Sequence, residues 1–436
     1  MKTLTNVLAV AAFFAMLVWS SGCQKSGPTE TEDTPSTGAQ EKVTQANNIL
    51  IPRIILIVNS GSTDPSLFDF SSAATLYNDA LALDASNKDA HFGLAIIDVL
   101  SLFGNPQITG LLGKEEVALS PDVLRSFAGL STSTAGVLTS YGERLASRFT
   151  GLFQQRISLM LGKGSTAATH QLPSYYQNII ETAILPKLTS SINHLTIVLQ
   201  DPAYAFLITP TMTGGNTTET YRIDATEIYL FRGLLQFVVA DGSAFVAYNI
   251  DYNPGDSAGV YQAWQPSSGF LAFRTGGSQR MKDALTNFVG AATSIQGSLT
   301  NLMNEPANPQ TDIINYNPSD GPVFMEIISA LDSLKKVLSG AYTLPDGLTI
   351  NLNAFFNDAI PNYKQMVPPY TVTVQPGFQP GTYDAILTWT ASTFDQWIFP
   401  DPTMRGLFPG MTDTNLKVLL DVSALNWESS VLIPGS

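Results

Sequence analysis

One serine stands in a spacing that could support acyl transfer. The run from Gly255 to Gly259 fits the pattern Gly-x-Ser-x-Gly, with Ser257 at its centre. Glycines flank such a nucleophile because it sits on a strained turn between a strand and a helix, and a histidine later in the chain takes its proton. The histidines of this chain are His91, His170 and His194. All of them precede Ser257, so the chain order is wrong for this arrangement.

The same run resembles the nucleophile elbow of hormone-sensitive-lipase-like esterases, but the chain has no upstream His-Gly-Gly oxyanion loop. A chymotrypsin-like order would allow His170 to act with Ser257. That fold is built from β-barrels, whereas the intervening residues have helical patterns. We therefore expect a glycine-rich turn at Ser257 and no enzymatic activity.

Candidate metal and phosphate sites are incomplete. Oxygen ligands at Asp251, Asn253, Gly255 and Asp256 have the alternation of a calcium loop, but the bidentate Glu that should follow is missing. The glycine-rich run 162–166 lacks the leading glycine of a phosphate loop. His91 and His194 fall on apolar helix faces, where we expect hydrogen-bonded residues and not ligands. The sequence predicts no metal and no cofactor.

The only cysteine, Cys23, follows a segment with the layout of an export signal. Lys2 precedes an apolar stretch from Val7 to Trp19, which is shorter than the roughly 20 residues that a membrane-spanning helix needs. The run Ser20-Ser21-Gly22-Cys23 resembles the lipobox of bacterial lipoproteins. The resemblance implies a signal peptide over 1–22, cleavage before Cys23, and acyl chains on the sulfur and amine of Cys23.

A lipidated Cys23 leaves the mature chain without a thiol, which excludes disulfides, thiolate metal sites and cysteine nucleophiles. Gln24 follows the cysteine where Asp would, by resemblance to enterobacterial lipoproteins, retain the protein at the inner membrane. The resemblance therefore implies the outer membrane. Residues 23–44 are rich in Ser, Thr, Pro and acids without apolar periodicity, so we predict a flexible tether.

The charge balance limits the possible partners. The chain has 22 Lys and Arg against 36 Asp and Glu, a net charge of −14, and loss of 1–22 removes only Lys2 from this set. Nucleic-acid binding relies on clustered Lys and Arg, so we expect no nucleic-acid partner. An acidic body also adheres poorly to anionic lipid heads, so membrane attachment depends on the lipid anchor.

One helical segment, 68–103, has a recognisable order of small and large residues. Ala73, Tyr77 and Ala80 fall on one helical face, and Ala90 and Leu94 on a second, with a break between them. This order resembles a tetratricopeptide repeat. The matching positions are Asp69-Phe70, Ala73, Tyr77, Ala80-Leu81, Leu83-Asp84, Asn87, Ala90 and Leu94. An ordinary helical hairpin with alanines at its contact explains the same residues, and no second copy lies 34 residues away.

Such repeats typically present a concave protein-binding face, and the resemblance makes Tyr77, His91 and Leu94 candidate contact residues. We predict a protein-binding or scaffold lipoprotein of the bacterial cell envelope. The alternative is a lipoprotein that captures a ligand, such as a glycan, for nutrient uptake. Its basis is the concentration of aromatic residues between Leu344 and Met411, which could stack on sugars or pack in a core.

Periodicity along the rest of the chain predicts a mostly α fold with a few short β-hairpins and no internal domain boundary over 45–436. The predicted hairpins pair Tyr204–Thr209 with Tyr221–Asp224, and Tyr370–Val374 with Tyr383–Trp389. Further helices are predicted at 120–161, 173–200, 224–248, 278–304, 321–340 and 412–421.

Replacing the lipidated residue tests the anchor. We expect the wild-type protein in the membrane fraction with an acylated N-terminus, and Cys23→Ser in the soluble fraction, because each buried acyl methylene contributes about 0.8 kcal/mol to membrane binding. Fractionation and mass spectrometry measure both, and Ser26→Ala is the matched control that keeps the anchor. A Cys23→Ser protein that stays in the membrane would contradict the prediction.

Overall fold

The computed structural model describes residues 37–60, 64–108, 173–212, 220–251, 255–304, 314, 318–343, 347–377, 382–391, 396–419 and 430–433. The predicted fold class is confirmed, because helices dominate and the strands are few and short. The helices are α1 Thr37–Ser60, α2 Ser71–Leu83, α3 Lys88–Leu100, α4 Pro173–Ile179, α5 Leu185–Val198, α6 Ala225–Ala247, α7 Ser257–Trp264, α8 Gly277–Asn304, α9 Gly321–Ser339, α10 Leu352–Asn357 and α11 Asp413–Leu419. A π-helical turn, Ile180–Ile184, joins α4 to α5.

The strands form three small sheets. They are β1 Ala205–Ile208, β2 Tyr221–Asp224, β3 Tyr342–Thr343, β4 Thr349–Ile350, β5 Tyr370–Pro376, β6 Tyr383–Trp389 and β7 Ser430–Ile433. Both predicted hairpins are confirmed, since β1 pairs with β2 and β5 with β6, each antiparallel. The periodic helices are confirmed within a few residues of their predicted ends, except 120–161, which lies outside the described residues.

The chain divides into two compact units. The first comprises Met1–Tyr141, Thr182–Val239 and Gly290–Leu331, and the second Gly142–Glu181, Ala240–Val289 and Asp332–Ser436. Of the boundaries between them, three fall inside α6, α8 and α9. A boundary inside a helix leaves no loop or composition shift for the sequence to display. The single domain predicted for 45–436 stays a prediction.

In the first unit, α1 packs on α2, α2 on α3 and α3 on α5. Tyr77 of α2 is fully buried, and its hydroxyl donates a hydrogen bond to Asn47 of α1. Gly93 of α3 lies directly against the Tyr77 ring. Asn87 caps α3, accepting a hydrogen bond from the Ala90 amide at 2.9 Å. The predicted helical pair over 68–103 is therefore present, while its membership in the tetratricopeptide family stays a prediction.

The start of α1 corrects the predicted tether. A flexible segment was expected over 23–44, but residues 37–44 are helical and bury Ala39 and Val43. The apolar spacing of Ala39, Val43, Ala46 and Leu50 packs one face of α1, so these residues belong to the folded body. Residues 23–36 lie outside the described part of the chain.

An acidic pair starts α6 at the end of the first hairpin. The Asp224 side chain accepts from the Thr226 amide at 2.8 Å, and Glu227 accepts in return from the Asp224 amide at 3.0 Å. This reciprocal bonding is a capping box, with Asp in the first position. Burial first, and the Asp224 charge second, raise the pKa of Glu227.

The second unit has an aromatic core. Tyr370, Trp389, Trp397 and Phe399 are buried together, with residues of α7 and α11 against them. Beside this core, Lys364 directs its Nζ at the carbonyl end of α7, donating to Ala263 and Gln265 at 2.9 Å each. Burial lowers the pKa of Lys364 to about 8.

Packing at Gly93 makes a stability prediction. A Cβ at this position would lie within 3.0 Å of the Tyr77 ring. We expect Gly93→Ala to lower the free energy of unfolding by about 1–3 kcal/mol, because overpacking outweighs the gain of about 1 kcal/mol in helix propensity.

Urea unfolding followed by circular dichroism measures this change. Gly340→Ala is the control, since an added Cβ there meets no atom within 4 Å. Equal stability of the two variants would contradict the packing at Tyr77.

Candidate functional site

Four polar contacts join α3 to α5 and to the residues just beyond α5, and we call this set the polar seam. The partners are Lys88 with Asp201 at 2.5 Å, His91 with His194 at 2.7 Å, the Ala95 carbonyl with the Ser191 hydroxyl at 2.8 Å, and Asp98 with Lys187 at 2.8 Å. Later residues of α3 contact earlier residues of α5, so the two helices run antiparallel. Polar side chains at 88, 91 and 98 and at 187, 191 and 194 recur at three-, four- and seven-residue intervals, which places each set on one helical face.

The two histidines meet through their Nδ1 atoms. The Nε2 of His91 lies 3.1 Å from the Ala85 carbonyl oxygen, which can only accept, so this nitrogen carries a proton. In the neutral pair the Nδ1 of His91 is therefore the acceptor and the Nδ1 of His194 is the donor. Burial is the main cause that lowers the pKa of His194, the neighbouring His91 adds to it, and Asp98 opposes it.

The ion pair between Asp98 and Lys187 is asymmetric. The Asp98 side chain is 11% exposed and the Lys187 side chain 48% exposed. The carboxylate is thus largely removed from water, whereas the ammonium reaches solvent. Leaving a buried carboxylate without a counterion is costly. Loss of Lys187 would therefore leave Asp98 in a less favourable state than loss of Asp98 would leave Lys187.

An open cleft of about 520 Å³ adjoins this pair at the end of the seam. Hydroxyl and amide side chains of Ser101, Asn105, Gln107 and Ser190 line it together with Asp98 and Lys187. Such a lining can hydrogen-bond a small polar molecule. It supplies neither an activated nucleophile nor a set of metal ligands.

The first hairpin packs on α3 beside the seam. The Tyr204 hydroxyl donates to Asp89 at 2.8 Å, and the rings of Phe92 and Phe206 lie 4.9 Å apart. Burial raises the pKa of Tyr204 and the Asp89 charge adds to it, so the hydroxyl stays a hydrogen-bond donor. Residues of α3 thus contact α5 on one side and the hairpin on another.

The candidate partner-binding residues lie in the interior. Tyr77 is fully buried, and His91 and Leu94 are 6% and 7% exposed. The structure therefore gives these three side chains a packing role and not a place on a binding surface, because a partner can contact only accessible atoms. His91 and His194 are hydrogen-bonded, as predicted for each of them, but their pairing with each other was not predicted. Cys23 lies outside the described residues.

Ser257 is exposed and begins α7, and the helix is capped by Asp256, which accepts from the Ala258 amide at 3.1 Å. Asp251, a candidate calcium ligand, accepts from the Ser174 amide at 2.8 Å. Within the ranges that the structure describes, no group of three or more His, Cys, Asp or Glu is placed to hold a metal. His170 and Asn253 fall outside those ranges.

The C-terminal aromatic residues were the basis of the ligand-capture alternative. Trp389, Trp397 and Phe399 are 4–8% exposed and pack on one another, with the two indole rings 4.5 Å apart. Buried rings cannot stack on a sugar, so these side chains act as core residues.

Sequence reasoning missed the polar seam. In α5 the seam residues do not stand out, because exposed positions such as Thr189, Asn193 and Thr196 are also polar. The available signal was the recurrence of polar side chains on one face of the mostly apolar α3. It does not identify a partner helix, because the two histidines are 103 residues apart.

Comparison of the chain with protein-family models, with curated proteins and with solved structures finds no match.

The asymmetry of the ion pair predicts unequal effects of charge removal. Lys187→Met should lower the free energy of unfolding by about 1–3 kcal/mol, because Asp98 is left buried without its counterion. Lys42→Met should change it by less than about 0.5 kcal/mol, since Lys42 and Asp79 form an exposed pair at 3.5 Å. Urea unfolding measures both.

The double variant Asp98→Leu with Lys187→Met should recover most of the lost stability, because it removes the unpaired charge together with its partner. Equal effects of Lys187→Met and Lys42→Met would show that Asp98 does not depend on this ion pair.

Proposed function

We propose that this protein is a lipid-anchored component of the bacterial cell envelope that binds another envelope protein or organises an assembly. The observation that carries the proposal is the short apolar export segment that leads through Ser20, Ser21 and Gly22 to the only cysteine, Cys23. Acyl chains on Cys23 would hold the body at a lipid surface, most naturally that of the outer membrane.

The body itself supports a covalent anchor. Its net negative charge gives no electrostatic attraction to anionic lipid. Among the described helices, α6 alone is long and apolar enough to cross a membrane, by length and composition only. It contains Glu227 and Arg232, and its Ile228 and Leu235 are buried within the first unit, as expected of a core helix. Attachment through lipid is therefore the simpler account.

The outer face of α1 offers a place for a protein partner. In its first half this face is polar, with Glu41 and Gln45 exposed. In its second half it becomes apolar at Ile49, Pro52 and Leu56, spaced three and four residues apart on one side of the helix, with Leu56 53% exposed. We call these three residues the α1 patch. Exposed apolar residues grouped beside polar ones are typical of protein–protein contacts.

Site-specific crosslinking in intact envelopes tests the proposal. A photoreactive amino acid at position 56 should give a discrete adduct with an envelope protein, whereas the same group at position 45, on the polar half of the same face, should give none. Gel shifts and mass spectrometry of the adduct identify the partner.

A second variant separates the patch from the anchor. Adding Ile49→Glu to the protein that carries the photoreactive amino acid at position 56 should abolish the adduct. The protein should remain in the membrane fraction. Absence of any adduct from position 56, or equal adducts from positions 45 and 56, would overturn the proposed partner surface.

A further inference from the structure

The outer edge of β5 is the longest unpaired edge among the described strands. β5 pairs with β6 on one side, and within the ranges that the structure describes no strand pairs with it on the other. Its residues, Tyr370–Pro376, carry no charge, and its one proline is the last of them. Edge strands usually carry charged residues or proline, because free amides and carbonyls can pair with another chain. The outer edge of β5 lacks this protection along most of its length.

The hydrogen bonds at the two ends of β5 show which backbone groups face this edge. The Thr390 amide donates to the Pro369 carbonyl at 2.9 Å, and the Gly377 amide donates to the Thr382 carbonyl at 2.8 Å. In an antiparallel pair every second residue bonds to the residue opposite it. The odd-numbered residues of β5 therefore bond to β6, and the even-numbered residues face away. Among the described residues, no hydrogen bond reaches these outward amides and carbonyls.

Tyr370, Val372 and Val374 thus present both an amide and a carbonyl outward, and we call these backbone groups the β5 edge. Pro368 and Pro376 occupy the next outward positions. Proline has no amide and cannot extend a ladder, so the two prolines delimit the β5 edge.

The β5 edge leaves polar groups unsatisfied beside an apolar core. The side chains of Tyr370 and Val372 belong to the aromatic core, and each residue is only 7% exposed. Buried backbone amides and carbonyls are almost always paired, because an unpaired one costs about as much as a lost hydrogen bond. A strand added in the plane of the sheet would supply the missing partners.

We propose that two copies of this protein associate by antiparallel pairing of their β5 edges. The two-fold axis passes at Val372, so Val372 faces the partner's Val372 and Tyr370 faces the partner's Val374. Each facing pair exchanges an amide and a carbonyl in both directions. Every outward amide of both copies is then bonded, as the closed two-fold symmetry of a dimer requires.

The side chains of β5 favour a second copy as the occupant. Thr371 and Thr373 are exposed on the outer face of the sheet, and in the pair each faces the other across the axis. Opposed threonines and opposed β-branched side chains stabilise strand pairs, whereas like charges would repel, and β5 has none. A charged peptide would find no counter-charge on this strand. The proposal depends neither on the lipid anchor nor on the α1 patch.

Disulfide trapping tests both the pairing and its register. Full-length chains with Thr371→Cys and with Thr373→Cys, carrying different tags, are expressed together in the native host and oxidised. We expect a disulfide dimer that contains both tags, because facing residues of this kind have Cα atoms about 4.5 Å apart, within the reach of a disulfide. Thr371→Cys alone should give none, since its own copy lies diagonally at about 7–8 Å.

Thr388→Cys is the matched control, because Thr388 is exposed on the same face but lies in the central strand β6. Its copy stands three strand spacings away, about 14 Å, and should not crosslink. Absence of the mixed dimer, or an equal yield from Thr388→Cys, overturns the proposal. A disulfide adduct with a different protein in place of the mixed dimer assigns the β5 edge to a foreign strand and also overturns it.

Sedimentation of the purified full-length chain in detergent gives a second measurement. The wild type should contain two chains per particle, and the double variant Thr371→Lys with Thr373→Lys should contain one, because lysines then face lysines across the axis. Thr388→Lys should stay dimeric. Thermal melting checks that each variant is folded, as expected for exposed positions. A monomeric wild type, or a dimeric double variant, contradicts pairing through β5.

Discussion

The need to pair polar groups inside the packed helices fixes the arrangement of the first unit. Apolar helices can slide past one another by a turn and still bury similar area, but a slide of α3 against α5 would break all the contacts of the polar seam together. Leaving a buried polar group unsatisfied costs about 1–3 kcal/mol, and Asp98 and His91 are both buried. The register that these contacts set also places the cleft beside Asp98 and presents Asp89 and Phe92 to the first hairpin.

The second unit satisfies its internal charges in two ways. Lys364 donates to the carbonyls that end α7, where the helix dipole favours a cation. Glu181 is held by Arg274 and Arg280, with N–O distances of 3.3 and 2.8 Å. Both arrangements join segments that are far apart in sequence. These polar contacts therefore help to specify the fold, as the apolar core does.

The elements that were predicted correctly are those specified by local pattern. Alternating β-branched and aromatic residues identified β5 and β6, and apolar residues at helical spacing identified α6, α8 and α9. The pattern within one segment does not show which other helix or strand packs against it. Tyr77, His91 and Leu94 were chosen from a resemblance to repeats, but side chains that define such a repeat mostly pack its helices, and all three are buried. The segment 37–44 was assigned to a tether because its polar residues obscured the apolar spacing that buries Ala39 and Val43.

The passage of the chain between two units limits how the protein can change in evolution. Because α6, α8 and α9 each contribute residues to both units, neither unit can be removed without cutting these helices. Exchange of one unit by recombination would have to preserve both halves of three helices at once. Insertions are therefore expected to accumulate in the loops between helices.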